Sequence, residues 1–322
     1  MKNDYSTERM HPAIKWSIIG VVSLLVIIIA IYMWTRHQMS SMQDPSKPLE
    51  EPALLSTKNL KDNESVLLLG TDKPSDGDEK NVRTDTIMIA TYNADKNSIK
   101  LLRLPRDIYV HTDQYEGRIN GLYEKEGVKG LVKYINDTYH VPISDYAMVD
   151  FNGLEHVVDT IGGIDVDSDI KIDKSNNKNL DKDIRVDKGH QHLDGEEALG
   201  YARIRYIDND IKRGDRQTEV IKAIGDKLLS KEAIPKLPKV VMTLKDYVTT
   251  SMDADKIESN AKNLSSHPDI ENVKFEWKDT KKGDTGYVEI PDKEEKRLSD
   301  ELRKHLHIEN TDVKSDDDNL MH

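Results

Sequence analysis

The stretch IMIATYNADKNSIKLLRLP, residues 87–105, decides the fold. Ile87–Tyr92 and Ile99–Leu104 are two short runs rich in apolar and β-branched residues. The segment Asn93-Ala94-Asp95-Lys96-Asn97 between them is polar and turn-forming. Such a pair predicts a β-hairpin. Pro105 stops the second strand, because proline brings no N–H to the ladder. Arg106 and Asp107 are therefore presented at a sheet end. Upstream, Val66-Leu67-Leu68-Leu69-Gly70 is an apolar run ended by glycine, which predicts a buried strand. Downstream, Tyr146–Phe151 predicts a strand, Asn152 the cap of a helix over 153–160, Gly162-Gly163 a turn, and Ile164–Asp167 another strand. Residues 173–190, rich in Asp, Asn and Lys, read as an exposed loop. Apolar residues at Val128, Leu131, Val132 and Ile135 predict a helix over 127–139. A short helix opens at Asp194 as cap, and further helices are predicted over 215–229, 233–248, 254–264 and 292–305. A late strand is expected at 273–277. Strands and helices mixed throughout predict a layered α/β or α+β domain.

Outside this domain, composition sets bounds. The chain has 322 residues, 33% of them charged, a net charge of -12 and no cysteine. The acidic balance argues against broad nucleic-acid binding, and disulfides and thiolate metal sites are excluded. WSIIGVVSLLVIIIAIYMW, residues 16–34, carries no charge over 19 residues. At roughly 1.5 Å per residue it just spans a bilayer core of roughly 30 Å, with Trp16, Tyr32 and Trp34 at its ends. It is longer than the apolar core of a signal peptide. Residues 16–35 are therefore read as an uncleaved transmembrane helix and 1–15 as a cytoplasmic tail. Lys2, Arg9 and Lys15 put the N-terminus inside. Residues 36–64, with Pro45, Pro48 and Pro52, read as an extracytoplasmic stalk. The globular domain is expected over 65–307, and 308–322 as a disordered acidic tail.

Three runs carry the chemistry. They are Arg83-Thr84-Asp85-Thr86, then Leu104-Pro105-Arg106-Asp107, then Tyr201-Ala202-Arg203-Ile204-Arg205, continuing through Asp208, Asp210, Arg213, Asp215 and Arg216-Gln217. Arginine presents a permanently charged planar fork that fits phosphate, and aspartates in one site hold hard divalent cations. Together the runs predict a pocket for a polyphosphate or pyrophosphate. Arg83 and Asp85 are two apart, so they share a face if the strand extends back to them. Asp72 follows the first strand and would share a cation with Asp85 if the two strand ends are neighbours. Arg203 and Arg205, if extended, point to one face while Ile204 packs on the other. Arg213 and Arg216 flank a helix start, a natural anion site. The competing reading of each run alone is a surface ion pair or a salt-bridge cluster. Walker, GxGxxG and GxSxG motifs do not occur, and His140, His156, His190 and His192 lack zinc-ligand spacing.

Taken in order, these runs resemble the LytR-CpsA-Psr family of Gram-positive bacteria. The pieces are Leu68-Leu69-Gly70-Thr71-Asp72, the runs at 83–86 and 104–107, and Arg118-Ile119-Asn120. Then come Val149-Asp150-Phe151 to Asp159-Thr160-Ile161-Gly162-Gly163-Ile164, and Gly189–Gly195 leading into Ala198–Arg205. The resemblance covers roughly residues 60–225, with a motif core over 65–230. It implies an extracytoplasmic domain with a central mixed β-sheet flanked by helices. It implies transfer of a phosphoglycan, of wall teichoic acid or capsule type, from a polyprenyl-pyrophosphate carrier held in an apolar cavity to a peptidoglycan hydroxyl. By the family pattern, Arg83, Arg106, Arg203, Arg205 and Arg213 or Arg216 grip the pyrophosphate. Asp72 and Asp85 bind Mg²⁺ (or Mn²⁺), and Asp210 lies toward the acceptor. The implied catalytic set is Arg83, Asp85, Arg106, Arg203, Arg205 and Asp210, with Asp85 or Asp210 as base. The implied partners are the lipid-linked donor, peptidoglycan and the membrane, with no nucleic acid. The segment 207–212 is irregular against the family pattern, Gly200 stands where a larger residue is expected, and nothing after about 230 matches. Hydrolysis of polyprenyl pyrophosphate and a non-catalytic envelope sensor are the alternative functions.

Overall fold

The computed structural model describes residues 33–43, 62–72, 83–173, 184–204, 210–228, 230, 236–265 and 267–308. Most of the expected membrane span, 16–32, and the tail beyond 308 lie outside the described residues. Among the described residues no helix is long and apolar enough to cross a membrane. Residues 33–40 form a helix, α1. It docks on the domain: Arg36 pairs with Asp255 at 2.7 Å and Glu258 at 3.6 Å, and Gln43 bridges to Thr250. The chain thus meets the domain well before residue 65.

The centre is a six-stranded mixed sheet in the order β10-β3-β2-β1-β6-β9. Its strands are β1 (Glu64–Asp72), β2 (Arg83–Asn93), β3 (Ser98–Leu104), β6 (Asp145–Asp150), β9 (Val248–Thr250) and β10 (Asp269–Asn272). The hairpin read from residues 87–105 is present, with Ile87 opposite Leu104 and Asn93 opposite Ser98. β1 lies at the middle, antiparallel to β2 and parallel to β6. Alternation sends Leu67, Leu69, Ile87, Ile89, Leu102 and Leu104 to one face. There they form one core with α2 (Ile119–Tyr139), α8 (Asp292–His305) and Val110 of β4 (Tyr109–His111), which pairs with β5 (Glu116–Arg118). α2 begins eight residues before the expected Gly127, whose φ of 65° marks a kink inside the helix. α8 fits its prediction residue for residue. Asp292, Glu294 and Glu295 in its first turn and Arg303, Lys304 and His305 in its last complement the helix dipole.

A second layer has its own core, built from α3 (Phe151–Ile161), β7 (Ile164–Ser168), β8 (Gly189–Leu193), α4 (Gly195–Arg203), α5 (Asp210–Leu228) and α6 (Leu237–Leu244). Among the described residues, none of the six-stranded sheet belongs to this second core. Gly162 and Gly163, at φ 91° and 86°, make the expected turn into β7. α4 opens on a full capping box between Asp194 and Glu197.

Several expectations are corrected. α3 starts at Phe151, so Asn152 is inside the helix and not its cap. The loop expected to run to 190 ends earlier: Ile184 and Val186 are buried and β8 pairs with β7. Residues 233–235 of the helix expected over 233–248 lie outside the described residues; from there the helix runs over Leu237–Leu244, and Val248–Thr250 is the edge strand β9. The helix over 254–264 is present as α7 (Ala254–Ser265). Residues 273–277 are irregular; strand structure lies on either side, in β10 and in the hairpin of β11 (Lys278–Lys282) and β12 (Thr285–Glu289). These segments are short and polar, so period-2 patterning leaves no apolar trace in them.

Candidate active site

The second face of the central sheet is where the chemistry collects. Register places Val66, Leu68 and Gly70 of β1, Thr86, Met88 and Ala90 of β2, Leu101 and Arg103 of β3, and Ala147 and Val149 of β6 on that face. Val66, Leu68, Ala90, Ala147 and Val149 are only half-buried, whereas Leu67 and Leu69 on the other face are 0% and 2% exposed. An apolar row along β1 and β6 in the middle of the sheet is therefore only half-covered, while Met88 of β2 and Leu101 of β3 beside it are 0% and 5% exposed. It runs about 13 Å from Val66 to Gly70 and about 10 Å across three strands. At the Val66 end, Lys256 of α7 pairs with Asp145 at 2.9 Å and Glu64 at 3.7 Å, and burial raises the Glu64 carboxyl above its usual range.

At the Gly70 end the row becomes polar. Gln217 of α5 lies over the sheet; its Oε1 accepts from Arg103 Nε at 3.1 Å and from Thr86 Oγ1 at 3.4 Å. Gly214 permits this approach, since a Cβ there would come within 2.8 Å of Arg103 Nη1. Arg213, one turn before Gln217, is 3% exposed.

The same sheet end carries the sequence-predicted acids. β1 and β2 pair Asp72 with Arg83 and Thr71 with Thr84, then Gly70 with Thr86, so Asp85 is the extra residue of a β-bulge. The two strand ends are neighbours, as the shared-cation reading requires. The bulge breaks strict alternation between Arg83 and Asp85, so the same-face argument from their spacing does not hold. Thr71 and Thr84 are fully buried, and their hydroxyls have no hydrogen-bond partner among the described residues. Arg106 follows the end of β3 as expected; its Nε lies 3.7 Å from Asp107, which Arg118 also reaches at 3.2 Å.

The third run is arranged differently from the extended reading. Arg203 ends α4 as a half-buried helical residue, and Ile204 is its C-cap, 3% exposed. Arg205 and Asp208 lie outside the described residues, and Asp210 is placed only as the first residue of α5. Arg216 is 2% exposed. It donates to the carbonyls of Tyr201 at 3.1 Å and Ile204 at 2.9 Å, and its guanidinium lies over the Tyr201 ring. It therefore holds the C-terminal end of α4, where unsatisfied carbonyls need donors. Burial, and then the Glu219 carboxylate that accepts its hydroxyl, push the Tyr201 phenol up.

The LytR_cpsA_psr family model matches residues 29–304 of the chain. The chain belongs to the LytR_cpsA_psr family. Among its relatives is the polyisoprenyl-teichoic acid–peptidoglycan teichoic acid transferase TagU of Bacillus cereus, 28% identical over 312 residues, covering 93% of this chain and 99% of that one. The corresponding transferase TagV of Bacillus subtilis is 33% identical over 194 residues, 58% of this chain; that match spans about half of TagV, 49%. Among solved structures, TagT bound to LIIa-WTA has a TM-score of 0.68 at 26% identity, covering 80% of this chain and 97% of that chain.

In this LytR_cpsA_psr member two residues of the polar end had no role in the sequence reading. Arg103 sits inside SIKLLRL, and its signal was a charge at an alternating position of an otherwise apolar strand. Gln217 was visible beside Arg216; its signal was its spacing of four from Arg213, which puts both on one helix face. Among the described residues no group of His, Cys, Asp or Glu is arranged to hold a metal ion.

Proposed function

We propose that this protein is a membrane-anchored phosphotransferase. It moves a glycopolymer of teichoic-acid type from a polyprenyl-pyrophosphate carrier to a hydroxyl of peptidoglycan. The observation that carries the reading is the amphipathic second face of the sheet. A half-buried apolar row runs straight into a polar end with Arg103, Gln217 and, on the neighbouring strands, the Asp72–Arg83 pair and the Asp85 bulge. A prenyl chain suits the row, since burying each CH₂ contributes about 0.8 kcal/mol, and a diphosphate suits the end. The names of the family relatives support the donor and acceptor kinds.

In the reaction, the acceptor hydroxyl oxygen attacks the phosphorus that bears the glycan. The bond from that phosphorus to the bridging oxygen breaks, and polyprenyl phosphate leaves with the electron pair. The acceptor proton passes to a carboxylate, with Asp85 and Asp210 as the two candidates. Such chemistry depends on positioning and charge stabilisation. Arg83, Arg106, Arg203, Arg205 and Arg213 are assigned to the diphosphate; Arg216 is assigned to the fold. Asp72 and Asp85, brought to neighbouring positions by the β1–β2 register, fit an oxygen-ligated Mg²⁺ or Mn²⁺, which would neutralise charge on the diphosphate. Residues 16–35 are taken as the anchor and the domain as facing outward.

The test is a transfer assay with the purified full chain, a lipid-pyrophosphate glycan donor, peptidoglycan and Mg²⁺. Linked polymer that disappears with Arg106→Ala is the expected result. Release of phosphorylated glycan without linkage would make the protein a hydrolase, and no turnover with retained donor binding would make it a sensor.

A further inference from the structure

The reactive end of the sheet is flanked, on the layer that carries Gln217, by a cleft between α3 and the segment from α6 to β9. Its volume is about 600 Å³, and it is lined by His156, Asp159, Lys239, Lys245, Asp246 and Tyr247, with Met242 and two threonines. That volume falls in the range of roughly 300–1,000 Å³ typical of ligand sites. The cleft is tied to the reactive end by the backbone. The Asp150 N–H donates to the Tyr247 carbonyl at 2.9 Å, and Asp150 is the register partner of Thr71, next to Asp72. Two strand spacings, about 10 Å, separate β6 from the Asp85 bulge on β2.

The lining is chemically specific. The rings of His156 and Tyr247 pack at 5.1 Å with a 33° tilt, giving the cleft an aromatic platform. Tyr247 is pressed onto α3 at Gly153, where a Cβ would come within 2.4 Å of the tyrosine Cβ, so the ring is held in place by backbone contact. Around the platform stand two lysines and two aspartates. Asp159 is positioned by accepting from the Gly195 N–H at 2.8 Å. Balanced charge is wrong for a polyanion, which asks for cations alone. It suits a ligand with a sugar face, amide N–H groups and isolated carboxylates.

We propose that this cleft binds the acceptor, an N-acetylated amino-sugar strand bearing carboxylate groups, and delivers its hydroxyl to the diphosphate. The proposal rests on the transferase reading, but its test is independent of turnover. The full chain in detergent is titrated with a disaccharide-tetrapeptide fragment of peptidoglycan, followed by calorimetry. In parallel it is titrated with a polyprenyl pyrophosphate. Tyr247→Ala and Lys245→Glu should each weaken fragment binding at least about tenfold, while affinity for the lipid pyrophosphate stays within about twofold. Lys245 is half-buried on a turn, so its variant reports on binding even if Tyr247→Ala perturbs packing. In the transfer assay the same variants should raise the acceptor KM and leave the donor KM in place. No binding of the fragment by the wild type would overturn the proposal. So would unchanged binding in both variants, parallel loss of lipid affinity, or displacement of the fragment by a teichoic-acid polymer. Fragment binding at the cleft without any transfer would instead count against the transferase reading alone.

Discussion

Replacing Gln217 by leucine removes the acceptor that joins α5 to the sheet at the polar end, with nearly the same volume. The wild-type oxygen receives Arg103 Nε at 3.1 Å and Thr86 Oγ1 at 3.4 Å. A hydrogen bond to a charged group contributes about 1.5–3 kcal/mol, and the longer neutral one about 0.5 kcal/mol. Arg103 has other partners as well, so the lower end applies, about 2 kcal/mol. Gln217 is 8% exposed, so water does not replace the lost acceptor. Urea unfolding of the full chain in detergent should show this loss. With Arg103 no longer held at the polar end, kcat/KM for glycan transfer should also fall, by about tenfold for each 1.4 kcal/mol of transition-state stabilisation lost. Gln217→Glu keeps an acceptor in place and should stay within about fivefold. A leucine variant within about 0.5 kcal/mol of wild type in stability and about threefold in kcat/KM, the range of an indifferent surface change, would refute the role given to this bridge.

Two other outcomes are expected. His305 is buried between Thr91 Oγ1 at 2.8 Å and Ser98 Oγ at 3.0 Å; burial first, then Lys100 and Lys96, lowers its pKa from 6.5 to about 4. Because the folded value is depressed, its neutral form supports the fold fully above pH 6.5, and up to about 3 kcal/mol is lost as pH falls from 6.5 to 4; His305→Gln should flatten that part of the unfolding profile. Arg216→Met should cost about 3 kcal/mol by leaving the Tyr201 and Ile204 carbonyls without donors, and Arg216→Lys should not restore it, because one ammonium cannot reproduce the fork; thermal melts check both.

Much of this architecture was legible in the chain. The β2–β3 hairpin and α8 were readable because their apolar spacing, turn residues and terminal charges agree with one another. That β1 and β2 end side by side was left open by the two apolar runs and is settled by their register. The bulge at Asp85 was not legible, since nothing local marks one extra residue in a strand. Arg216 looked like an anion ligand because only tertiary structure reveals the α4 carbonyls it serves. Arg203 was read as extended because Arg-Ile-Arg alternates, yet the capping box at Asp194 propagates helix through it. The half-buried face of β1 was hidden for a related reason: an all-apolar strand does not say which of its faces is packed less closely.

The central claim is that the apolar row on β1, β2 and β6 holds the prenyl chain of the donor. It is tested most directly by filling that row and varying the chain. Ala147→Phe in the full chain should weaken binding of a long-chain polyprenyl pyrophosphate by at least about tenfold, roughly the loss of two buried CH₂ groups. Affinity for a short-chain pyrophosphate, which reaches only the polar end, should be unchanged. Equal effects on the long and short chains, or none on either, would contradict the account.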